Sequence, residues 1–274
     1  MRELPEMHEV AARIAALVPD WAIAEVKGIR YLEGGYGNHN YFFRVQDSAY
    51  AIRIPFADQP YVDRDYERVL YEQLPEGLSP DLIAVDVAKG ILITRWLEGT
   101  LLVDQTRPAT KQLGAFIKHL HANTPEAQRD YDPHRLARAY LSTMSTPTEI
   151  KEIANRRWLP VEVASCHNDL NPWNVVVAED RWRVLDWEFA GHNDPLFDVV
   201  NLVEGLELPN AVLIEVATDV LGHAPGEAHL LACYEAFWLR EYAWAQYQVE
   251  LGNDRTEIRE QVQVAYDKLC HRSI

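Results

Sequence analysis

Apolar residues first recur at helical spacing near the start of the chain, where Val10, Ile14 and Leu17 form a short stripe, the pattern of an amphipathic helix. The period then shortens. YFFRVQ and YAIRIP, with Asp47 and Ser48 between them as the turn, predict a β-hairpin just after the glycine-rich EGGYGN. VDRDYERVLYEQL predicts a helix, and DLIAVD and ILITRW predict two further strands with Gly90 in the turn between them. From about residue 97 helical spacing takes over: Leu113, Phe116, Ile117 and Leu120 fall at i, i+3, i+4 and i+7. Most of the remainder is expected to be helical, with TMSTPTEIKE around Pro147 as a surface connection. The pattern therefore predicts an α+β chain, with a small β-rich N-terminal lobe over 1–96 and a larger, mostly helical lobe over 97–274. The join falls near Arg95 to Gly99, and no internal repeat is visible.

One stretch breaks the helical pattern. SCHNDLNPWN, Ser165 to Asn174, packs a histidine, an aspartate and asparagines around a proline, immediately before the apolar run VVVA. VVVA and WRVL, separated by Glu179, Asp180 and Arg181, predict a second hairpin in which Ala178 faces Trp182 and Asn174 faces Asp186. A carboxylate and an amide oxygen side by side suit Mg²⁺, which takes few protein ligands and completes its shell with water and phosphate. Asp169, five residues before Asn174, is then placed to accept a hydroxyl proton beside a metal-bound phosphate. Asp169 and Asn171 can equally serve as caps of a turn before Pro172. It is the joint spacing of His167, Asp169, Asn174 and Asp186 that favours catalysis. His167 is expected there as an orienting, hydrogen-bonded residue.

Composition narrows the class of partner. A net charge of −16 over 274 residues argues against nucleic acid or an anionic membrane, both of which need clustered Lys and Arg. Cys166, Cys233 and Cys270 form no CxxC pair, so neither a disulfide framework nor a zinc site is indicated. The N-terminus lacks a basic, apolar, small-residue signal, and no run approaches the length of a membrane span. The expectation is a cytoplasmic protein working on a small molecule, with its oligomeric state open.

CHNDLNPWN followed by LDWEFAGHNDPLFDVV resembles the aminoglycoside phosphotransferase and choline kinase family, whose fold is the two-lobed protein-kinase-like one. The resemblance extends to GGYGNHNYFFRV at the nucleotide-binding loop, YAIRIP at the strand bearing the phosphate-binding cation, and ITRWLEG at the lobe hinge. It implies ATP and Mg²⁺ as cofactors. Gly35, Gly37 and Asn38 would border the phosphates, although EGGYGN lacks GxGxxG spacing and signals a tight turn first. Arg53 would hold the phosphates with Glu67 as its ion-pair partner, Glu72 being the rival. Arg95 to Leu97 would border the adenine, and Asn174 and Asp186 would hold the metal. Only seven residues lie between Asp186 and the Asp194-Pro195 pair, too few for a segment that docks a peptide, so the acceptor is expected to be small.

The acceptor side is less tightly specified. Glu188 resembles the acidic residue of the choline kinase branch and suits a cationic substrate, or else pairs with a lobe arginine. In the late helix YEAFWLREYAWAQYQ, Tyr234, Phe237, Trp238, Tyr242 and Trp244 share a broad face with Glu241. That face is either core with Glu241 paired to an arginine, or an aromatic cage for a quaternary ammonium, which Trp173 would extend. Choline is the first expectation as hydroxyl acceptor. Thiamine, ethanolamine, aminoglycosides or sugars are alternatives, as is an inactive ligand-binding pseudokinase. Asp198 in PLFDVV is expected to brace the catalytic loop from a helix.

Overall fold

In the computed structural model, residues 4–33, 37–106, 108–178, 181–253 and 255–271 are described. The chain begins with α1 (Met7–Leu17), β1 (Val26–Leu32), β2 (Asn38–Val45), β3 (Ser48–Pro55), α2 (Arg64–Gln73), β4 (Leu82–Asp86), β5 (Ile91–Arg95) and β6 (Thr100–Leu101). It continues through α3 (Thr110–Asn123), α4 (Pro133–Tyr140), α5 (Thr148–Ala154), β7 (Ala164–Cys166), β8 (Val175–Ala178), β9 (Arg181–Val184) and β10 (Gly191–Asn193). Four helices close it: α6 (Pro195–Gly205), α7 (Asn210–Leu221), α8 (Glu227–Glu250) and α9 (Thr256–Cys270). Among the described residues no helix is long and apolar enough to cross a membrane.

Backbone contacts divide the chain into two compact units. The first runs to Leu102 and takes in Val175–Glu188; the second comprises Val103–Asn174 and the chain from Phe189 onward. The division expected between 96 and 97 thus falls after β6, and the β8–β9 hairpin belongs with the first unit. Local bonds explain why: β6 pairs with β8, and the Ser79 hydroxyl accepts from Trp187 Nε1 at 3.1 Å and donates to the Val184 carbonyl at 2.8 Å.

The first unit is built on an antiparallel sheet of order β1-β2-β3-β5-β4. Tyr41, Phe43 and Val45 alternate along β2 and bury one face with Tyr50, Ile52, Ile54, Ile91 and Ile93. Val10 and Ile14 of α1 complete that core, each such side chain contributing about 1.5–3 kcal/mol on burial. The first hairpin turns at Gln46 and Asp47, one residue earlier than expected, since Val45 pairs with Ser48. Gln46 supplies the positive φ of 52° that the two-residue turn needs. In the second hairpin Arg181 joins the strand and pairs with Ala178, so the loop has two residues in place of three and the register moves by one. The ladder ends with Val175 opposite Val184. The expected pairing of Asn174 with Asp186 is not part of it.

In the second unit α6 is buried along nearly its whole length, the mark of a central helix. Asp194 caps it by accepting from the Leu196 N–H at 3.1 Å, and Pro195 occupies the first turn, where a missing N–H costs nothing. The stretch around Pro147 is not simply a connection: Pro147 precedes α5, which buries Ile150 and Ile153.

Candidate active site

The chemistry-bearing side chains fall into two clusters, one in each unit. In the first unit Arg53, on the central strand β3, reaches Glu67 on α2 through a fork, Nη1 to Oε1 at 2.6 Å and Nη2 to Oε2 at 2.7 Å. Its Nη1 also donates to Asp186 Oδ1 at 2.6 Å. Arg64, one turn before Glu67, bridges Glu67 at 2.9 Å and Glu188 at 2.7 Å. Asn38 donates its amide to Asp186 Oδ2 at 3.4 Å. Burial works against the Arg53 charge, yet Glu67 and Asp186 carry its pKa above the ordinary guanidinium value. Burial likewise pushes Glu67 up, and Arg53 and Arg64 overcome it and hold the carboxyl below its usual range. Asp186 itself has a left-handed φ of 61°, a conformation costly outside glycine and concentrated at functional positions. Glu67, Asp186 and Glu188 bring carboxylate oxygens within 4.8 Å of one another, and three carboxylates against two guanidiniums leave a net negative charge. That hard-oxygen set suits a divalent cation.

The second cluster is the loop between β7 and β8. Asn168 takes a left-handed φ of 66°, which asparagine tolerates better than most residues. Its buried amide donates to the carbonyls of Phe189 and Gly191 at 3.1 and 3.2 Å, and its oxygen accepts from Asn193 at 2.8 Å. Asp198, on α6, braces the loop as expected, accepting the backbone N–H groups of His167 and Asn168 at 2.9 and 2.8 Å. Burial raises the Asp198 pKa, but His121 at 2.9 Å and the loop's N–H groups bring it below the normal carboxyl value. Buried His167 offers Nδ1 to the Asp169 N–H at 3.3 Å. Asp169 then has each carboxylate oxygen engaged, Oδ1 by Arg240 at 2.7 Å and Oδ2 by the Asn174 amide at 3.0 Å. Asn174 spends its amide nitrogen on Asp169, donating to the backbone carbonyl and to Oδ2, each at 3.0 Å. Gly205 closes the arrangement: a Cβ there would lie 2.4 Å from Pro172 Cδ.

The remaining expected site residues scatter. Gly35 lies outside the described residues, and the Gly37 carbonyl accepts from Phe56 at 3.3 Å. Leu97 is buried, while the half-exposed Arg95 guanidinium lies over the Tyr50 ring at 5.4 Å. Glu72 pairs with Arg68, leaving Glu67 to Arg53. Glu188 takes the arginine-paired course through Arg64. On α8, Tyr234, Phe237, Trp238 and Tyr242 are buried, and the Lys268 ammonium already lies against the Trp238 and Tyr234 rings. These aromatics are core. Glu241 contacts the Arg240 guanidinium at 3.1 Å and accepts from Gln261 at 2.9 Å. Trp244 is half-buried and Trp173 is 47% exposed.

Sequence reasoning missed Arg64, Asn168 and Arg240. Arg64 carried a signal, since it stands three residues before Glu67 on one helix face. Arg240 carried a weaker one, as a lone cation in the most aromatic stretch of the chain.

Residues 28–237 match the profile of APH, the phosphotransferase enzyme family. The chain is 26% identical over 194 residues to protein LicA of Haemophilus influenzae, across 64% of this chain and 57% of that protein. It therefore spans less than two thirds of that relative's length. A thiamine kinase of Salmonella paratyphi B is 27% identical over 129 residues, 44% of this chain and 46% of that enzyme. Among solved structures, the choline kinase LicA of Streptococcus pneumoniae is similar with a TM-score of 0.76 at 19% identity, covering 96% of this chain and 98% of that one. At that identity the likeness concerns the fold, which is α+β and protein-kinase-like. Because the family match spans well over half the sequence, the chain belongs to the APH phosphotransferase enzyme family.

Proposed function

We propose that the protein transfers the γ-phosphoryl group of ATP to the hydroxyl of a small amino alcohol, choline before others. The observation that carries this reading is Asp169, a carboxylate held through both oxygens on a loop that α6 clamps by its backbone. A fixed carboxylate of this kind orients an incoming hydroxyl and accepts its proton. Arg53, with the glycine-rich segment and Asn38, positions the phosphates, and Arg95 to Leu97 border the adenine. Asn174 and Asp186 are the proposed ligands of Mg²⁺, which would neutralise phosphate charge when bound. Support for choline comes from the choline kinase LicA among the structural neighbours. Trp173 and Trp244, two partly exposed aromatics of the second unit, are the proposed acceptor contacts. Thiamine is the second reading, favoured by the thiamine kinase similarity and by its own quaternary nitrogen. Free thiols at all three cysteines fit a reducing cytoplasm.

An ATP-consumption screen across choline, ethanolamine, thiamine, aminoglycosides and amino sugars tests the proposal. Turnover with choline supports it, and turnover with thiamine alone transfers it to the second reading. Efficient use of aminoglycosides with neither of the others turning over rejects the amino-alcohol acceptor, and no turnover at all rejects a kinase.

A further inference from the structure

Arg240 is a charged residue in an unfavourable place. It sits in the middle of α8 with a side chain only 6% exposed, among Phe237, Trp238, Leu239 and Tyr242. Removing a guanidinium from water is costly unless its charge and its hydrogens are both answered. The charge is answered, and so are both terminal nitrogens: Nη1 donates to Asp169 Oδ1 at 2.7 Å, and Nη2 donates to Asn201 Oδ1 at 3.0 Å and lies 3.1 Å from Glu241 Oε1, while Nε has no hydrogen-bond partner among the described residues.

The contacts form a closed frame around the loop. Asn201 on α6, which anchors one arm of the fork, also donates its amide to the Asn168 carbonyl at 3.4 Å. The other arm ends on Asp169, whose second oxygen is taken by Asn174. Rotating the Asp169 carboxylate would break one of these bonds. We propose that Arg240 is the positioning residue of the site, fixing the plane of the Asp169 carboxylate and thereby setting turnover without contacting nucleotide or acceptor. The inference rests on the reading of Asp169 as the hydroxyl-orienting group. Burial opposes the Arg240 charge, but Glu241 and Asp169 raise its pKa far above the ordinary value, so the guanidinium keeps its charge. Lysine could not replace it fully, because a single ammonium cannot present the planar fork that serves Asp169 and Asn201 together.

Kinetics of the full chain with ATP, Mg²⁺ and the acceptor found in the screen provide the test, comparing wild type, Asp169→Asn, Arg240→Ala and Arg240→Lys. Arg240→Ala should lose at least about tenfold in kcat while KM for ATP stays within about twofold. Sub-denaturing guanidinium should restore part of that loss and leave Asp169→Asn unrescued. Arg240→Lys should fall between wild type and Arg240→Ala. A folded Arg240→Ala with wild-type kcat, or a loss that guanidinium does not relieve, overturns the inference. If Arg240→Ala does not fold, Arg240→Lys decides: a lower kcat at unchanged KM and melting temperature supports positioning, and wild-type kcat overturns it. Should Asp169→Asn turn over normally, or wild type prove inert, the reading of Asp169 fails first and Arg240 is left with nothing to position.

Discussion

Arg53 and Glu67 meet through two parallel hydrogen bonds of 2.6 and 2.7 Å, both partners buried. Removing one side of such a pair strands the other charge, at about 3–5 kcal/mol. Arg64 remains beside Glu67, so Arg53→Ala should lose about 3 kcal/mol by urea denaturation, the lower end of that range. It should also raise KM for ATP. Arg53→Lys keeps the charge without the fork and should fall between. Unchanged ATP kinetics in a folded Arg53→Ala would show the strand cation to be a bystander.

Asp169→Asn keeps the shape of the side chain and removes its charge. We expect kcat to fall by at least about 10² with ATP binding intact, as measured by steady-state kinetics beside calorimetry. Normal turnover in the folded variant would remove Asp169 from the chemistry.

Asp186→Ala addresses the metal instead. With one of only two proposed protein ligands gone, Mg²⁺-dependent nucleotide affinity should collapse. Calorimetric titration of ATP with and without Mg²⁺ reads this directly, and an unchanged metal dependence would contradict the assignment.

Gly205→Ala tests the packing behind the loop. The added methyl would meet Pro172 Cδ at 2.4 Å, and a helix terminus cannot give way without moving the proline. A loss of about 1–3 kcal/mol is expected from overpacking, together with lower kcat, because Pro172 lies between Asp169 and Asn174. A variant with wild-type stability and turnover would show the loop to be more yielding than its contacts suggest.

His134 gives the fold a pH dependence of its own. Its ring is buried against Trp158, Nδ1–H donates to the Ile153 carbonyl at 3.1 Å, and burial pushes its pKa below the ordinary 6.5. As pH falls through 6.5 the unfolded chain takes up this proton before the folded one does. Stability therefore declines from about pH 6.5 down to the folded pKa and levels off below it. Glu67 and Asp198, both held low, act in a more acidic window, their contributions being lost as pH falls below the ordinary carboxyl range. His134→Gln should flatten the slope just below pH 6.5 in denaturant titrations, and an unaltered slope would locate the effect elsewhere.

Much of this was legible beforehand because it is local. The β2–β3 hairpin, α2 and α3 follow from periodicities of two and 3.6, and the ten residues from Ser165 to Asn174 announced themselves by density of polar groups beside an apolar run. The one-residue slips in both hairpins arose because a turn's length depends on which residue accepts a positive φ, and Gln46 is an unobvious choice. The aromatic stripe on α8 read as a candidate cage because a helical wheel shows one face at a time. It cannot show that neighbouring helices cover the others. Arg240 and Arg64 were invisible for a related reason: a buried arginine is intelligible only once its carboxylates are placed, and Asp169 and Glu188 lie 71 and 124 residues away.

The assignment of β8 and β9 to the first unit has a consequence for how the protein is made. A chain leaving the ribosome N-terminus first exposes the five-stranded sheet long before Val184 and Trp187 arrive to engage Leu78 and Ser79. That unit cannot be finished until about two thirds of the sequence has been translated, so domain-by-domain folding during synthesis is closed to it. For the same reason a gene fusion with a single junction after Leu102 would not transplant the unit into a relative. Two further junctions, around Val175 and Glu188, would have to travel with it.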